Sequence, residues 1–338
     1  MTEPLRLPVP AHEGGCRLDV FLARHVPDFS RARATEHIAQ GHVRLWRGAA
    51  QLAPGKVKPS YLLHDALTVE VAVQPRPQMS AEPEAIPLVV VYEDADLLVV
   101  DKPAGLVVHP AAGHETGTLV NALLHHVPDV AEVGDDDLRP GLVHRIDKDT
   151  SGLLVVSKSE LAMRKLAALF ARHELERRYA AVVLGTWPED ALTIRTLHGR
   201  HPTERKKFSG RVQQGKPAVT HVQVLARSPL ASLVGCTLET GRTHQIRVHL
   251  AERGHPIAGD ALYGGLRPLA KTERTANDRK WLGQVTRQAL HAYALGFAHP
   301  RTGQPMRFHS PWPVDLAPVV QGLFGDVALP GLTELLGT

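Results

Sequence analysis

Arg145 and Asp147 stand two residues apart at the head of a polar turn, Lys148-Asp149-Thr150-Ser151-Gly152, that leads into the apolar run Leu153-Leu154-Val155-Val156. If the segment before the turn is a short strand, its period of 2 points the cation and the carboxylate into one shared cavity. Positive neighbours favour an ionised carboxylate, which suits a nucleophile, whereas a general acid needs burial or a second anion. An ion pair capping a hairpin has the same spacing, so the pair alone leaves both readings open. Tyr179 heads a second apolar run, 179–184, a place where tyrosines commonly serve as core. Arg242, His244 and Arg247 follow a glycine turn into a helix, where His244 and Arg247 fall on one face at i and i+3. The chain has 20 histidines, but His109 and His114 lack clustered carboxylates, and His244 and His249 are five apart where a helical metal pair needs four. No metal site is expected.

The elements that must position these groups are readable from periodicity. Short buried strands are expected over 88–92 and 97–100, and a strand, turn and strand over 101–110. The central polar turn should end at Gly152 before a buried strand resumes. Ser159 reads as the cap of a helix whose Ala162, Leu166, Leu169 and Phe170 share one face. Arg172, Arg177 and Arg178 lead into the strand headed by Tyr179. Residues 268–286 are polar and read as an exposed insertion, and the tail from Gly325 carries no pattern.

At 338 residues the chain is long enough for two domains, and 43% apolar residues support globular cores. A helix is expected from Leu18, a second over 31–40 capped by Ser30 and stopped by Gly41, then a strand with Val43 and Leu45 inside. Residues 1–13 read as irregular, 14–73 as a small domain, 74–87 with four prolines as a semi-rigid linker, 88–325 as a large domain, and 326–338 as a tail. The net charge of +4 and a pI near 9.1 suit a polyanionic partner. Arg31, Arg33, Arg44 and Arg47 form a candidate basic face, and Arg205, Lys206 and Lys207 sit in a loop, 200–216, with six basic groups and one acid. Both also fit a plain solvated surface. Two distant cysteines, an amino terminus without a leader pattern and no long apolar run suggest a soluble cytoplasmic protein away from membranes.

The stretch His144-Arg145-Ile146-Asp147-Lys148-Asp149-Thr150-Ser151-Gly152-Leu153 resembles the signature of the RluA family of pseudouridine synthases, with Ile146 where leucine is usual. Lys102-Pro103-Ala104-Gly105, Thr240-Gly241-Arg242-Thr243-His244-Gln245-Ile246-Arg247-Val248-His249-Leu250, Gly259-Asp260-x-x-Tyr263-Gly264 and Gln288-Ala289-Leu290-His291-Ala292 extend the resemblance. The family's Lys-x-Tyr motif has Arg177 in place of its lysine. His-Pro-Thr-x-Arg at 201–205 and 215–221 resemble the RluD-like branch that modifies large-subunit ribosomal RNA, and residues 14–73 resemble an S4 domain, an α-helix and loop module that binds structured RNA.

The resemblance implies an α+β fold with a mixed, mostly antiparallel sheet, and an enzyme that isomerises uridine to pseudouridine without a cofactor. It places catalysis on Asp147, Tyr179 and Arg247, with Arg247 pairing with Asp147 and Arg242 the competing choice. Arg145 would fill the stack left by the extruded base, and Thr150, His244 and Arg242 would contact substrate. The implied partner is structured RNA, ribosomal RNA or a pre-ribosomal particle, met by a monomer. Transfer RNA as substrate and a non-catalytic RNA-binding protein are the competing functions, the latter disfavoured by the intact Arg145, Asp147, Tyr179 and Arg247 set. A metal hydrolase is disfavoured by the scattered histidines.

Overall fold

The structure is a computed structural model that describes residues 4–26, 29, 31–73, 81–111, 113–134, 138–266, 268–327 and 329. The chain divides into two compact units, Met1–Gln78 and Met79–Thr338.

The first unit contains β1 (Leu5–Pro8), α1 (Leu18–His25), α2 (Arg31–Ala39), β2 (Val43–Arg47), β3 (Ala50–Gln51) and β4 (Leu67–Val71). Its strands form an antiparallel sheet in the order β1-β4-β2-β3. Leu18, Phe21 and Leu22 of α1 and Ile38 of α2 pack with Val43, Leu45, Leu67 and Val69 into one core. The sheet is a departure from the helix-and-loop expectation, and Leu5–Pro8, in a stretch expected to be irregular, is one of its strands. An amino-terminal strand far from its partner in sequence leaves no local signal, because Leu5 pairs with Val71 across the whole unit. Gly41 takes a φ of +79°, as a residue ending α2 should. Ser30, the expected cap, lies outside the described residues.

The second unit is built on a ten-stranded sheet. Its strands are β5 (Val89–Glu93), β6 (Leu97–Lys102), β7 (Ser151–Ser157), β8 (Glu176–Leu184), β9 (Ala191–Arg200), β10 (Phe208–Ser209), β11 (Lys216–Arg227), β12 (Ala231–Leu238), β13 (Leu290–Ala298) and β14 (Pro305–His309). The order is β10-β9-β11-β12-β8-β13-β7-β6-β5, with β14 against β13. Every pairing is antiparallel except β7 with β13. Helices α3 (Leu119–His126), α4 (Glu160–Arg172), α5 (Gln245–Glu252), α6 (Ala276–Leu282) and α7 (Ala317–Phe324) complete it. No helix among the described residues is long and apolar enough to cross a membrane.

Several expectations are corrected. β5 is an edge strand, with Val89 61% exposed, so its apolar run is not buried. The segment around Arg145 and Asp147 has no regular secondary structure and joins no ladder; one bridge, Leu142 with Val156, holds its start. Gly152 lies inside β7 rather than in a turn before it, and its φ of +116° lets the strand approach the backbone of Ala292 on β13, where a Cβ would collide. The stretch after β6 forms a bridge between Val107 and Thr118 and no second strand. Within the expected linker, 81–87 docks on the second unit: Glu84 N–H donates to the Asn121 carbonyl (2.9 Å) and the Asn121 amide to that of Glu82 (2.8 Å). Residues 74–80 lie outside the described residues. The expected exposed insertion holds α6, which packs on α7, with Thr275, Asp278 and Leu282 buried. Asp278 accepts from Ser228 Oγ (2.6 Å) and Leu230 N–H (2.7 Å), a buried carboxylate that composition alone reads as surface.

Candidate active site

β7 and β13 start side by side, with Ser151 opposite His291, so the 143–150 segment emerges beside Leu290 at the middle of the sheet. The next strand, β8, turns Arg177 and Tyr179 to the same face by its period of 2. The loop after β12 brings Gly241, Arg242 and His244, and α5 adds Arg247. These elements enclose a cavity of about 470 Å³, within the usual range for a ligand site, walled also by Phe170 at the end of α4.

Asp147 is half-buried and accepts a hydrogen bond from Arg247 Nη1 at Oδ2, 2.9 Å away. Arg247 is also bound by Asp260, Nε to Oδ2 at 2.7 Å and Nη2 to Oδ1 at 3.0 Å. Asp260 is buried and takes the Leu262 and Tyr263 backbone N–H groups as well. Burial pushes Arg247 down, but the hydrogen bonds to Asp260 and the charges of Asp147 and Asp260 outweigh it, so its net shift is upward and its charge is permanent. This doubly anchored guanidinium fixes one oxygen of Asp147 and leaves Oδ1 toward the cavity, 4.0 Å from His244 Nε2. Arg242 points elsewhere, donating from Nε to the Pro217 carbonyl (3.1 Å), and its own N–H binds Gln245 Oε1 (3.0 Å). Between the two arginines, Arg247 is the one bonded to Asp147.

Arg145 lines the same cavity, exposed at its rim with Nη1 3.1 Å from His109 Nε2. Thr150 is buried; its hydroxyl accepts from Gln288 Nε2 (2.8 Å) and its N–H donates to the Asp147 carbonyl (3.1 Å), closing the turn. Tyr179 is buried among core residues and still borders the cavity, so the packing and site readings of this residue coexist. Burial pushes its phenol up, while Arg177 pulls the other way. Arg177 donates to the Glu239 carbonyl (3.0 Å) and lies 5.2 Å from the centre of the Phe170 ring. Gly241 permits this, since a Cβ there would come within 2.7 Å of Arg177 Nη1. His144 also stacks on Phe170, with ring centres 4.8 Å apart, and burial with Arg177 nearby brings it down to about 3.

Sequence reasoning quoted Lys102 and Gln288 within motifs but gave them no role at the Asp147 turn, and it missed Arg287. Lys102, at the end of β6, is fully buried and donates to the carbonyls of Pro103 (2.7 Å), Leu106 (2.9 Å) and Lys148 (2.9 Å). Arg287 donates to the Asp149 carbonyl (2.9 Å) and is itself gripped by Asp315. With Gln288, three side chains from two distant segments bind residues 148, 149 and 150 in succession. The available signal was a lysine closing a strand that begins as an apolar run, too hydrophilic to be expected inside.

Of the candidate RNA contacts, Arg31 pairs with Asp19 (2.9 Å) and Arg44 with Glu70 (3.5 Å), both from exposed positions. Arg33 lies over the Phe29 ring at 4.8 Å, and Arg47 is exposed at the end of β2. In the second unit Arg205 and Lys206 are exposed, while Lys207 pairs with Glu204 (2.7 Å). The segment is not a bare loop, because β10 pairs with β9 inside it.

Residues 96–252 match the family model described as RNA pseudouridylate synthase. The chain is 45% identical over 312 residues to the "Ribosomal large subunit pseudouridine synthase D" of Neisseria meningitidis, covering 92% of this chain and 79% of that protein. It is 42% identical over 307 residues to the "Uncharacterized RNA pseudouridine synthase YlyB" of Bacillus subtilis, covering 91% and 94%. Among solved structures, "Human RNA Pseudouridylate Synthase Domain Containing 1" is similar with a TM-score of 0.54 at 25% identity, covering 78% of this chain and 96% of that one. With these matches spanning the strands and loops that build the cavity, the chain belongs to the RNA pseudouridine synthase family.

Proposed function

We propose that the protein isomerises uridine to pseudouridine in large-subunit ribosomal RNA, with Asp147 as the residue that reacts at the ribose. The observation that carries the reading is the Asp147–Arg247 ion pair opening on a cavity walled by Tyr179. The reaction breaks the glycosidic bond at N1, turns the uracil, joins C5 to C1′ and releases the C5 proton. Positive charge develops at the anomeric carbon as the bond breaks, and a carboxylate beside it stabilises that charge, as in glycoside hydrolysis. Arg247 holds the Asp147 carboxylate in one orientation, so little reorganisation is needed when the sugar arrives.

The target base must leave its stack, at a cost of roughly a few kcal/mol. Arg145, at the cavity rim, fits the role of filling the vacated place. The Tyr179 ring then supports the uracil, and as a phenolate, a form that the charge of Arg177 favours against the effect of burial, its oxygen takes the C5 proton. Thr150, His244 and Arg242 border the same space. The first unit, which we read as an S4-like module, and the 200–216 segment supply phosphate contacts through Arg31, Arg33, Arg44, Arg47, Arg205, Lys206 and Lys207. The ribosomal assignment is supported by the relatives whose names carry it.

Two measurements test this. Pseudouridines mapped in total RNA with and without the gene should differ in large-subunit ribosomal RNA; a difference confined to transfer RNA would move the substrate there. Asp147→Asn should bind RNA as the parent does and show no turnover, because the reacting oxygen is removed with little change in volume. Turnover above background in the purified variant would remove Asp147 from the chemistry.

A further inference from the structure

His244 occupies a left-handed backbone conformation, φ +58°, immediately before α5, and its side chain caps nothing. Such a conformation is strained for a residue with a β-carbon, and strain of this kind gathers where a side chain must be held in one place. What fixes the ring is Tyr263. Its hydroxyl lies 2.9 Å from His244 Nδ1 and accepts from the Phe208 N–H, also at 2.9 Å. The phenol has one proton to give and already receives one from Phe208. Every group is satisfied when Tyr263 donates to Nδ1 and the imidazole proton sits on Nε2. Burial lowers His244 and raises Tyr263, which keeps the imidazole neutral and the phenol protonated, as this arrangement requires. Phe208 and Tyr263 also meet the ring edge-on, at 5.6 Å each, so it cannot swing away.

The Nε2–H of this ring therefore faces Oδ1 of Asp147 across 4.0 Å, too far for a hydrogen bond. One oxygen fits between them. Placed about 2.7 Å from the carboxylate and about 2.9 Å from the nitrogen, it subtends roughly 90°, near the spacing of a hydroxyl's proton and lone pair. It must donate on one side and accept on the other, which a hydroxyl does and a carbonyl, an ether or an ester oxygen does not. In an internal RNA residue the 3′ and 5′ oxygens are phosphodiesters, so the sugar has a single hydroxyl, at C2′, adjacent to the reacting C1′.

We propose that His244, oriented by Tyr263, and Asp147 together take the 2′-hydroxyl of the target nucleotide, so that the site selects a ribose at the uridine to be modified. The inference rests on the isomerase reading above. It makes His244 a specificity residue rather than a metal or phosphate ligand, and it gives the left-handed backbone a purpose.

The test is a set of single-turnover rates on two synthetic RNA stem–loops spanning a mapped target uridine, one with ribose and one with 2′-deoxyribose at that position alone. The parent protein should convert the deoxy substrate more slowly by on the order of tenfold or more, the size expected for hydrogen bonds to a charged partner. His244→Asn tolerates the left-handed backbone and is too short to reach; it should slow the ribose substrate and shrink the ratio between the two toward one. His244→Gln, whose amide can reach the place of Nε2, should restore part of the ratio. An unchanged ratio in His244→Asn, or no ratio in the parent protein, would overturn the proposal while leaving the isomerase reading intact. Failure of the parent protein to convert the ribose substrate would overturn the isomerase reading and this inference with it.

Discussion

At the scale of the residue, the separation between Asp147 and its partner decides what each can do. Arg247 is 100 positions away in the chain and spends two of its hydrogen bonds on Asp260 before offering the third to Asp147. Tyr179 is the residue for which packing and chemistry differ most in consequence. Tyr179→Phe keeps the apolar body, so it should fold and bind RNA normally. If the oxygen takes the C5 proton, turnover should fall at least ~100-fold, the low end for general acid–base contributions, and a rearranged product retaining that proton should accumulate. A near wild-type single-turnover rate would return the residue to the core alone. Lys102 makes a different prediction, through pH. Burial brings it down to about 7 from 10.5, so between those values the unfolded chain holds more protons than the folded one. Stability therefore rises with pH across that window. Urea midpoints of the parent protein, compared at pH 7 and pH 9 with those of Lys102→Met, should show this rise in the parent and less of it in the variant.

Among the elements, the parallel contact between β7 and β13 determines where the reactive segment emerges. That contact depends on Gly152, whose φ of +116° and missing Cβ let the two backbones meet at Ala292. Gly152→Ala should destabilise the second unit by roughly 3 kcal/mol or more, the sum of backbone strain and overpacking. Thermal unfolding would register this as a lowered midpoint, and an unchanged midpoint would mean that the strands can separate without cost. The elements were partly legible in the residues themselves. The helix at Leu18, the buried strands β6, β7 and β8 and the turn into α5 carry their period locally, and α4 carries its Ser159 cap as well. β5 misled because an apolar run reports propensity for a strand and says nothing about whether that strand lies at the edge of a sheet. The segment 268–286 misled for the converse reason: Asp278 is a polar group whose burial is allowed by partners supplied from elsewhere in the chain, and Thr275 is satisfied by the carbonyls of Ala270 and Thr272 in its own turn.

For the molecule as a whole, the first unit has its own sheet and its own core, and two of its exposed arginines, Arg31 and Arg44, are committed to the buried carboxylates Asp19 and Glu70. If Arg31, Arg33, Arg44 and Arg47 nonetheless meet phosphates, removing residues 1–78 should weaken RNA binding and flatten its salt dependence. The log–log slope should fall by about 0.7 to 0.9 for every phosphate that the shortened protein no longer neutralises. Filter binding across a salt series would measure it; an unchanged slope would confine phosphate binding to the second unit.

The residue pattern by itself determined that Tyr179 sits on a buried strand and that a small basic module precedes a larger α+β unit, since each follows from local period, capping or composition; that Arg145 and Asp147 line one cavity it left open, because the segment carrying them forms no strand. It also carried the family signature, because that signature is a run of contiguous residues. The family resemblance favoured Arg247 over Arg242 as the partner of Asp147, and the structure shows that contact; tertiary structure alone decided that Lys102, Arg287 and Gln288 hold the turn beside it and that His244 faces Asp147 across a gap of one oxygen atom. The reason is physical. Sequence spacing orders side chains along one element, but these contacts join elements whose distance is set by the order of strands in the sheet, and no local energy term distinguishes one distant arginine from another until the backbone has brought one of them within hydrogen-bonding reach.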